Sequence, residues 1–168
     1  MFITCSSLNQ CINNKIESIL LLQKFQFRRK MSRNLDPEST IYKIRHSLAH
    51  ILAQAVLDIR PEAKLGFGPP TDTGFYYDFE LDQNLTPEDL KTVEKKMKKI
   101  VKSNQKFECS EFSYHELVEK LESSSTQQFK VEWAQELREK GEEQWTTYAN
   151  GAFWDMCEGP HVDSTKDI

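Results

Sequence analysis

Apolar residues recur at three- and four-residue steps along residues 41–59, at Ile41, Ile44, Leu48, Ile51, Leu52, Ala55 and Ile59. That period predicts an amphipathic helix, with Thr40 able to cap its start and Pro61 to stop it. On a wheel turning roughly 100° per residue these positions centre on one side. His46 and His50 fall nearly opposite, beside Ala53 and Leu57, so the histidine face is itself half apolar. A helix apolar on two sides is packed on two sides, which puts its histidines along an interior cleft. Residues 64–70 and 73–79 read as two short strands, with turn chemistry in Gly68-Pro69-Pro70 and Asp72-Thr73-Gly74, hence a hairpin.

Residues 85–90 open a second helix: Thr86 caps, Pro87 takes the first helical position, and Glu88 and Asp89 favour the positive end. It is expected to run to about Ser103, with Leu90, Val93, Met97 and Ile100 toward the core. Lys91, Lys95, Lys98, Lys99 and Lys102 populate the other side, a solvated face before it is an RNA-contact patch. Residues 107–112 alternate weakly and predict a strand. Ser113 and Glu116 stand at capping-box spacing ahead of a short helix. His115 on that helix has no companion at ligand spacing and reads as surface or packing. A Ser/Thr/Gln loop follows, then a charged helix from Phe129-Lys130 to near Lys140-Gly141. Residues 145–156 read as two strands around Asn150-Gly151, a strong short hairpin signal. The second of these strands delivers the chain to Cys157.

Composition changes the picture in a few places. With 168 residues, 38% hydrophobic and 29% charged, the chain fits one globular domain. Residues 1–40 hold six bases (Lys15, Lys24, Arg28, Arg29, Lys30, Arg33) against three acids (Glu17, Asp36, Glu38), which leaves −7 of the net −4 on the remainder. An acidic body argues against sequence-blind nucleic-acid binding and leaves room for docking through a local basic patch. Cys5, Cys11, Cys109 and Cys157 show no framework spacing, which favours a reduced, intracellular compartment. No run approaches a membrane span. Residues 1–40 read as an extension to a domain at 41–168, disordered or mis-called with Met31 as the start. The rival is a weak organelle-targeting segment at residues 1–30; the expected location is otherwise cytoplasmic.

The chemistry gathers at two pairs. His46 and His50 are one helical turn apart, and Cys157 and His161 flank a Gly-Pro bend. Three imidazoles and a thiol can bind a metal or run acid–base chemistry on a water. Each pair alone is more often a satisfied core or surface group, and Cys157 alone a small buried hydrophobe. The half-apolar histidine face, the aromatic strand leading to Cys157, and Asp155 and Lys130 close by raise the functional reading.

His46-Ser47-Leu48-Ala49-His50, Gly66-Phe67-Gly68-Pro69, Gly74-Phe75-Tyr76-Tyr77-Asp78 and Asp155-Met156-Cys157-Glu158-Gly159-Pro160-His161 together resemble the editing domain of threonyl-tRNA synthetases. That domain is shared more distantly with alanyl-tRNA synthetases. The resemblance covers roughly residue 41 to the C-terminus and implies an α+β fold, with the His-x-x-x-His helix packed on a curved antiparallel sheet and further helices on the surface. It implies an aminoacyl-ester hydrolase acting on Ser-tRNA(Thr), with His46, His50, Tyr77, Lys130, Asp155, Cys157 and His161 as catalytic candidates. Gly68 and Tyr77 would contact the substrate. His46, His50, Cys157 and His161 are candidate zinc ligands, although the threonyl branch is described as working without metal and no cofactor is required. The implied partners are tRNA(Thr) carrying serine and a threonyl-tRNA synthetase, with no membrane. Glu158 stands where relatives are often basic. Motifs of an aminoacylation core do not occur, so the expected chemistry is hydrolysis and not ligation. The alternatives are a non-catalytic fragment or accessory module binding tRNA or a synthetase, and a zinc-binding structural module.

Overall fold

The structure is a computed structural model that describes residues 35–168. The targeting segment, the alternative start at Met31 and the extension as far as residue 34 lie outside the described residues. Helix α1 spans Thr40–Leu57, and its cap is Ser39, whose hydroxyl accepts from the Tyr42 N–H. Thr40, expected as the cap, is the first helical residue. Serine directly before it offers the same hydroxyl, so the capping chemistry is met one position earlier. The buried residues of α1 run from His46 to Val56 and include both its apolar and its histidine sides, as its two-sided pattern predicts.

The first hairpin is nested. Strand β1 (Lys64–Leu65) pairs with β4 (Phe79–Glu80), and β2 (Pro70–Thr71) with β3 (Gly74–Phe75), both antiparallel. Between these ladders Gly66 N–H donates to Asp78 O and Asp78 N–H to Phe67 O, so the two arms stay joined across the irregular stretch. Arg45 on α1 donates to the carbonyls of Thr71 and Asp72, at 2.9 Å each, and clamps the hairpin tip to the helix.

Helix α2 (Pro87–Lys102) has the predicted cap at Thr86, reinforced by Asp89, and packs along α1 through Val93 and Ile100. Lys91, Lys95, Lys98, Lys99 and Lys102 are exposed, and Lys96 is half-buried and paired with Asp58. Strand β5 (Phe107–Phe112) leads into helix α3 (Tyr114–Glu122) and helix α4 (Gln128–Glu139). His115 on α3 is exposed against Tyr114. Strands β6 (Trp145–Asn150) and β7 (Phe153–Met156) complete an antiparallel sheet of order β5-β6-β7.

Asn150 pairs with Phe153, so the two-residue turn is Gly151-Ala152, one position later than Asn150-Gly151. Gly151 takes φ 60°, the left-handed value a tight hairpin needs at its first position. Asn150 is instead a buried strand residue whose amide donates to Gln54 and Gln105. The fold is α+β, and its antiparallel pairing is divided among three small sheets. One core joins α1, α2 and the first hairpin; a second lies under α3 and α4, around Leu117, Leu121, Trp133 and Trp145. Among the described residues no helix is long and apolar enough to cross a membrane.

Candidate active site

Helix α1 presents His46 and His50 on one face, with their rings edge-on at 5.5 Å between centroids. The opposing residues arrive on the segment after β7, whose register on β6 is extended when Cys157 N–H donates to Thr146 O. The chain then turns at Gly159, where φ is +71° and a Cβ would lie 2.5 Å from the Tyr148 hydroxyl. Only glycine suits both conditions. The turn brings Cys157 Sγ to 3.2 Å from His46 Nε2 and 3.3 Å from His161 Nε2, and Gly159 N–H donates to the same sulfur.

His161 is enclosed. Its ring stacks on His46 at 4.1 Å and on Phe107 at 5.0 Å, with Tyr148 at 4.6 Å. Burial, and then the neighbouring His50 and His46 imidazoles, push its pKa well below the ordinary histidine range. His50 is lowered in the same direction, first by burial and then by His46 and Lys130. Both rings are therefore neutral at pH 7.

A second group sits against the first. Tyr77 donates to Asp155 Oδ2 at 2.5 Å, Lys130 Nζ lies 3.3 Å from Asp155 Oδ1, and His50 Nε2 is 3.8 Å from Oδ2. Tyr77, Lys130 and Asp155 are each 2% exposed. Burial and the adjacent carboxylate drive the Tyr77 pKa well up, so the phenol keeps its proton and remains a donor. The Lys130 ammonium also lies 4.5 Å above the Phe67 ring and 5.6 Å from that of Trp133. A buried ammonium thus has an anion on one side and aromatic faces on others, the setting in which a charge is kept out of water.

His46, His50, Gly68, Lys130, Asp155 and Cys157 line a cavity of about 520 Å³, together with Phe67 and Trp133. Glu142 and Glu158 line it too. Tyr77 and His161 stand behind this lining. Tyr77 reaches the cavity through Asp155 and its contact with Gly68, and His161 through Cys157 and His46. All eight residues singled out from the sequence therefore meet at one place, six on the cavity surface and two supporting it. Phe67, Trp133, Phe107, Tyr148 and Ser47 complete the enclosure and were not singled out. Ser47 and Phe67 lay inside the quoted motifs, Trp133 lies on the helix that carries Lys130, and Phe107 and Tyr148 needed strand register to be seen.

The four donor atoms of His46, His50, Cys157 and His161 lie within 4.8 Å of one another. Three imidazoles and one thiolate are a donor set that zinc accepts. The far nitrogens of two rings already have outer partners, Pro160 O at His46 Nδ1 and Ser47 Oγ at His161 Nδ1. Such partners orient metal-bound imidazoles. Buried His50 Nδ1 has no hydrogen-bond partner among the described residues. The residues present fit the ion.

A buried ammonium, a carboxylate and neutral imidazoles around one cleft define a site for acid–base or Lewis-acid chemistry on a small polar group. Comparison with known proteins narrows this. No family profile matches the chain. A threonine–tRNA ligase of Dehalococcoides mccartyi is 46% identical over 132 residues, covering 79% of this chain and 22% of the ligase. One from a Mycobacterium species is 43% identical over 146 residues, covering 79% and 21%. One from Clostridium botulinum is 46% identical over 127 residues, covering 76% and 20%. The chain spans about a fifth of the length of the curated relatives it matches. It is homologous to a segment of threonine–tRNA ligases, the branch its motifs resemble.

Proposed function

We propose that this site hydrolyses the aminoacyl ester of mischarged tRNA, with Ser-tRNA(Thr) as substrate. The observation that carries the reading is the convergence of a buried ammonium, Lys130, with the His46–Cys157 pair on one cavity in a homologue of threonine–tRNA ligases. A ligase for threonine meets serine constantly, and one missing methyl separates the two by only about 1–3 kcal/mol. A second pocket that takes serine and is too tight for the extra methyl removes the resulting error.

In this reading a water attacks the ester carbonyl. His46 takes its proton, and the Lys130 ammonium orients it and steadies the oxyanion in a site with little water to screen it. Tyr77 holds Asp155, and Asp155 holds Lys130 in place. Cys157 is surrounded by three nitrogen contacts, so its sulfur organises the imidazoles more readily than it attacks. Zinc held by His46, His50, Cys157 and His161 would supply Lewis-acid polarisation; the water route does not require it. The partners of this reading are charged tRNA(Thr) and a threonyl-tRNA synthetase, in the cytoplasm.

The test is deacylation of Ser-tRNA(Thr) and Thr-tRNA(Thr) by the full chain, with Ser- and Ala-tRNA(Ala) alongside. Selective loss of the seryl ester from tRNA(Thr), reduced about 10²-fold or more in His46→Ala, is the expected result. A folded chain that clears no ester from any of these tRNAs refutes it and leaves an accessory module.

A further inference from the structure

One wall of the cavity is the stretch Phe67-Gly68-Pro69-Pro70, which joins the two ladders of the first hairpin. Arg45 precedes His46 on α1, and its Nη1 donates to the carbonyls of Thr71 and Asp72, the residues that follow this wall, at 2.9 Å each. We propose that Arg45 is a positioning residue that fixes the wall relative to His46 and thereby sets how tightly the pocket excludes the methyl group of a threonyl ester. The proposal rests on the hydrolytic reading for its substrate, and on the tie between helix and hairpin for its mechanism.

Within its own hairpin the wall is lightly held. At its near end Asp78 N–H donates to Phe67 O. Pro69 and Pro70 then have no N–H to give to the opposite arm. The ladder beyond them is two residues long, Pro70 opposite Phe75 and Thr71 opposite Gly74. A short two-stranded hairpin is marginal without support from outside. Buried Pro70 and the packing of Phe75 on the first core hold the base of the tip. The tip itself is open: Asp72 and Thr73 are exposed, and a Cβ built on Gly74 meets nothing within 4 Å. It is the half-buried guanidinium that brings two of the tip's carbonyls onto the helix. Both contacts are to backbone, so they fix the course of the chain itself.

The order of residues on α1 turns this tie into a gauge. Arg45 holds the wall, and the next residue, His46, carries an imidazole that meets Cys157. Adjacent residues of one helix cannot move apart, so the reach of one arginine side chain sets the spacing between wall and imidazole. His46, Lys130 and Asp155 stand on α1, α4 and β7. A wall that yields therefore widens the pocket and leaves these groups in place. One methyl group in a pocket is worth about 10- to 200-fold in selection, and that selection is lost before hydrolysis is.

The experiment uses the full chain as wild type, as Arg45→Met, which keeps the apolar stem, and as Arg45→Lys, whose ammonium has donors for both carbonyls. Deacylation of Ser-tRNA(Thr) and Thr-tRNA(Thr) gives the ratio of kcat/KM, and hydrogen exchange reports the opening of residues 71–75. Arg45→Met is expected to lower the seryl-over-threonyl ratio about ten-fold or more, chiefly through gained threonyl cleavage, with faster exchange at the tip. Arg45→Lys should recover most of both. A general structural loss slows both substrates together and leaves the ratio where it was. An unaltered ratio in folded Arg45→Met overturns the proposal, as does tip exchange no faster than in the wild type. If Arg45→Met does not fold, Arg45→Gln, with its amide on a shorter stem, decides by the same two readouts. Calorimetry with non-hydrolysable amide analogues of seryl- and threonyl-adenosine separates the two readings. A wild type that prefers the seryl analogue yet clears no ester refutes the hydrolytic reading alone, and the preference of Arg45→Met then decides the role of Arg45. A wild type with no preference in either assay overturns the proposal.

Discussion

Gly68→Ala drives a methyl group into the Tyr77 ring. A Cβ built on Gly68 overlaps Cδ2 of that ring and lies 2.7 Å from Cε2 and 3.0 Å from Cγ. Ordinary carbon contacts stand at about 3.5–4.0 Å, so the ring must move by close to an ångström. It has little room. Tyr77 is almost fully buried, Phe79 stacks against it at 5.0 Å, and its hydroxyl is tethered to Asp155. Overpacking of this kind costs about 1–3 kcal/mol. Breaking a hydrogen bond to a charged group adds about 1.5–3 kcal/mol. The expected loss is therefore about 2.5–6 kcal/mol of stability. Turnover should fall as well, because Asp155 is the anchor of Lys130. Urea unfolding of the wild type, Gly68→Ala, Tyr77→Phe and the double variant separates the two parts. In the Tyr77→Phe background the tether is already gone, so Gly68→Ala should cost only its overpacking share. A loss below about 0.5 kcal/mol for Gly68→Ala, or full additivity with Tyr77→Phe, refutes the claim that this glycine makes room for an anchored ring.

Lys130→Met leaves a buried carboxylate without its cation, so a loss of about 3–5 kcal/mol is expected, largely recovered in Lys130→Met/Asp155→Asn; equal stability of the two variants by urea unfolding contradicts the ion pair. Cys157→Ala should keep Ser-tRNA(Thr) turnover within about ten-fold and give no seryl-enzyme adduct in mass spectra, whereas abolished turnover with a trapped adduct in the wild type makes the thiol a nucleophile. His50 and His161 are held neutral in the folded protein, while unfolded histidine takes up a proton near pH 6.5. Below that pH the unfolded state binds more protons, so stability rises with pH. For two such groups it falls by up to roughly 2.7 kcal/mol per unit as pH drops from about 6.5 toward their folded values. Melting of the metal-free chain between pH 7.5 and 5 should show this slope, reduced in His50→Gln, and a flat profile is incompatible with buried neutral rings.

The helices were legible because their signals are local. The two-sided apolar pattern of residues 41–59 and the Thr86-Pro87 start of α2 each depend on neighbours within a turn or two, and they came out within one or two residues. Ser39 displaced Thr40 as a cap because adjacent hydroxyls compete for the same N–H groups. The turn slipped from Asn150-Gly151 to Gly151-Ala152 for a different reason. A buried position opposite Gln54 and Gln105 holds the Asn150 amide better than solvent does, so tertiary hydrogen bonds overrode the dipeptide's turn preference. What the sequence did not disclose depended on pairing between distant segments. Only the register that sets Cys109 opposite Tyr148 brings the Tyr148 ring to His161, and Phe107 reaches that ring from the start of the same weakly patterned strand. Ser47 was overlooked because a serine inside a helix carries no signal of its own until the segment at 160–162 is seen beside it.

The site is closed by strand register as much as by the motifs that form it. His46 and Cys157 are 111 residues apart, and α1 touches the segment after β7 through Ser47–Val162 and His46–Pro160. Those contacts exist only if β7 is set on β6 with Asp155 opposite Tyr148. A slip of one residue would turn Asp155 to the other face of the sheet, away from Tyr77 and Lys130, and carry Cys157 out of reach of both imidazoles. The register is set at Gly151, where the left-handed turn lets Asn150 enter the core and bond to α1 through Gln54. A turn that touches no candidate catalytic group therefore decides whether the two halves of the cluster meet. The polar contacts from α1 to Asn150, Pro160 and Val162 hold that decision at points along a single helix.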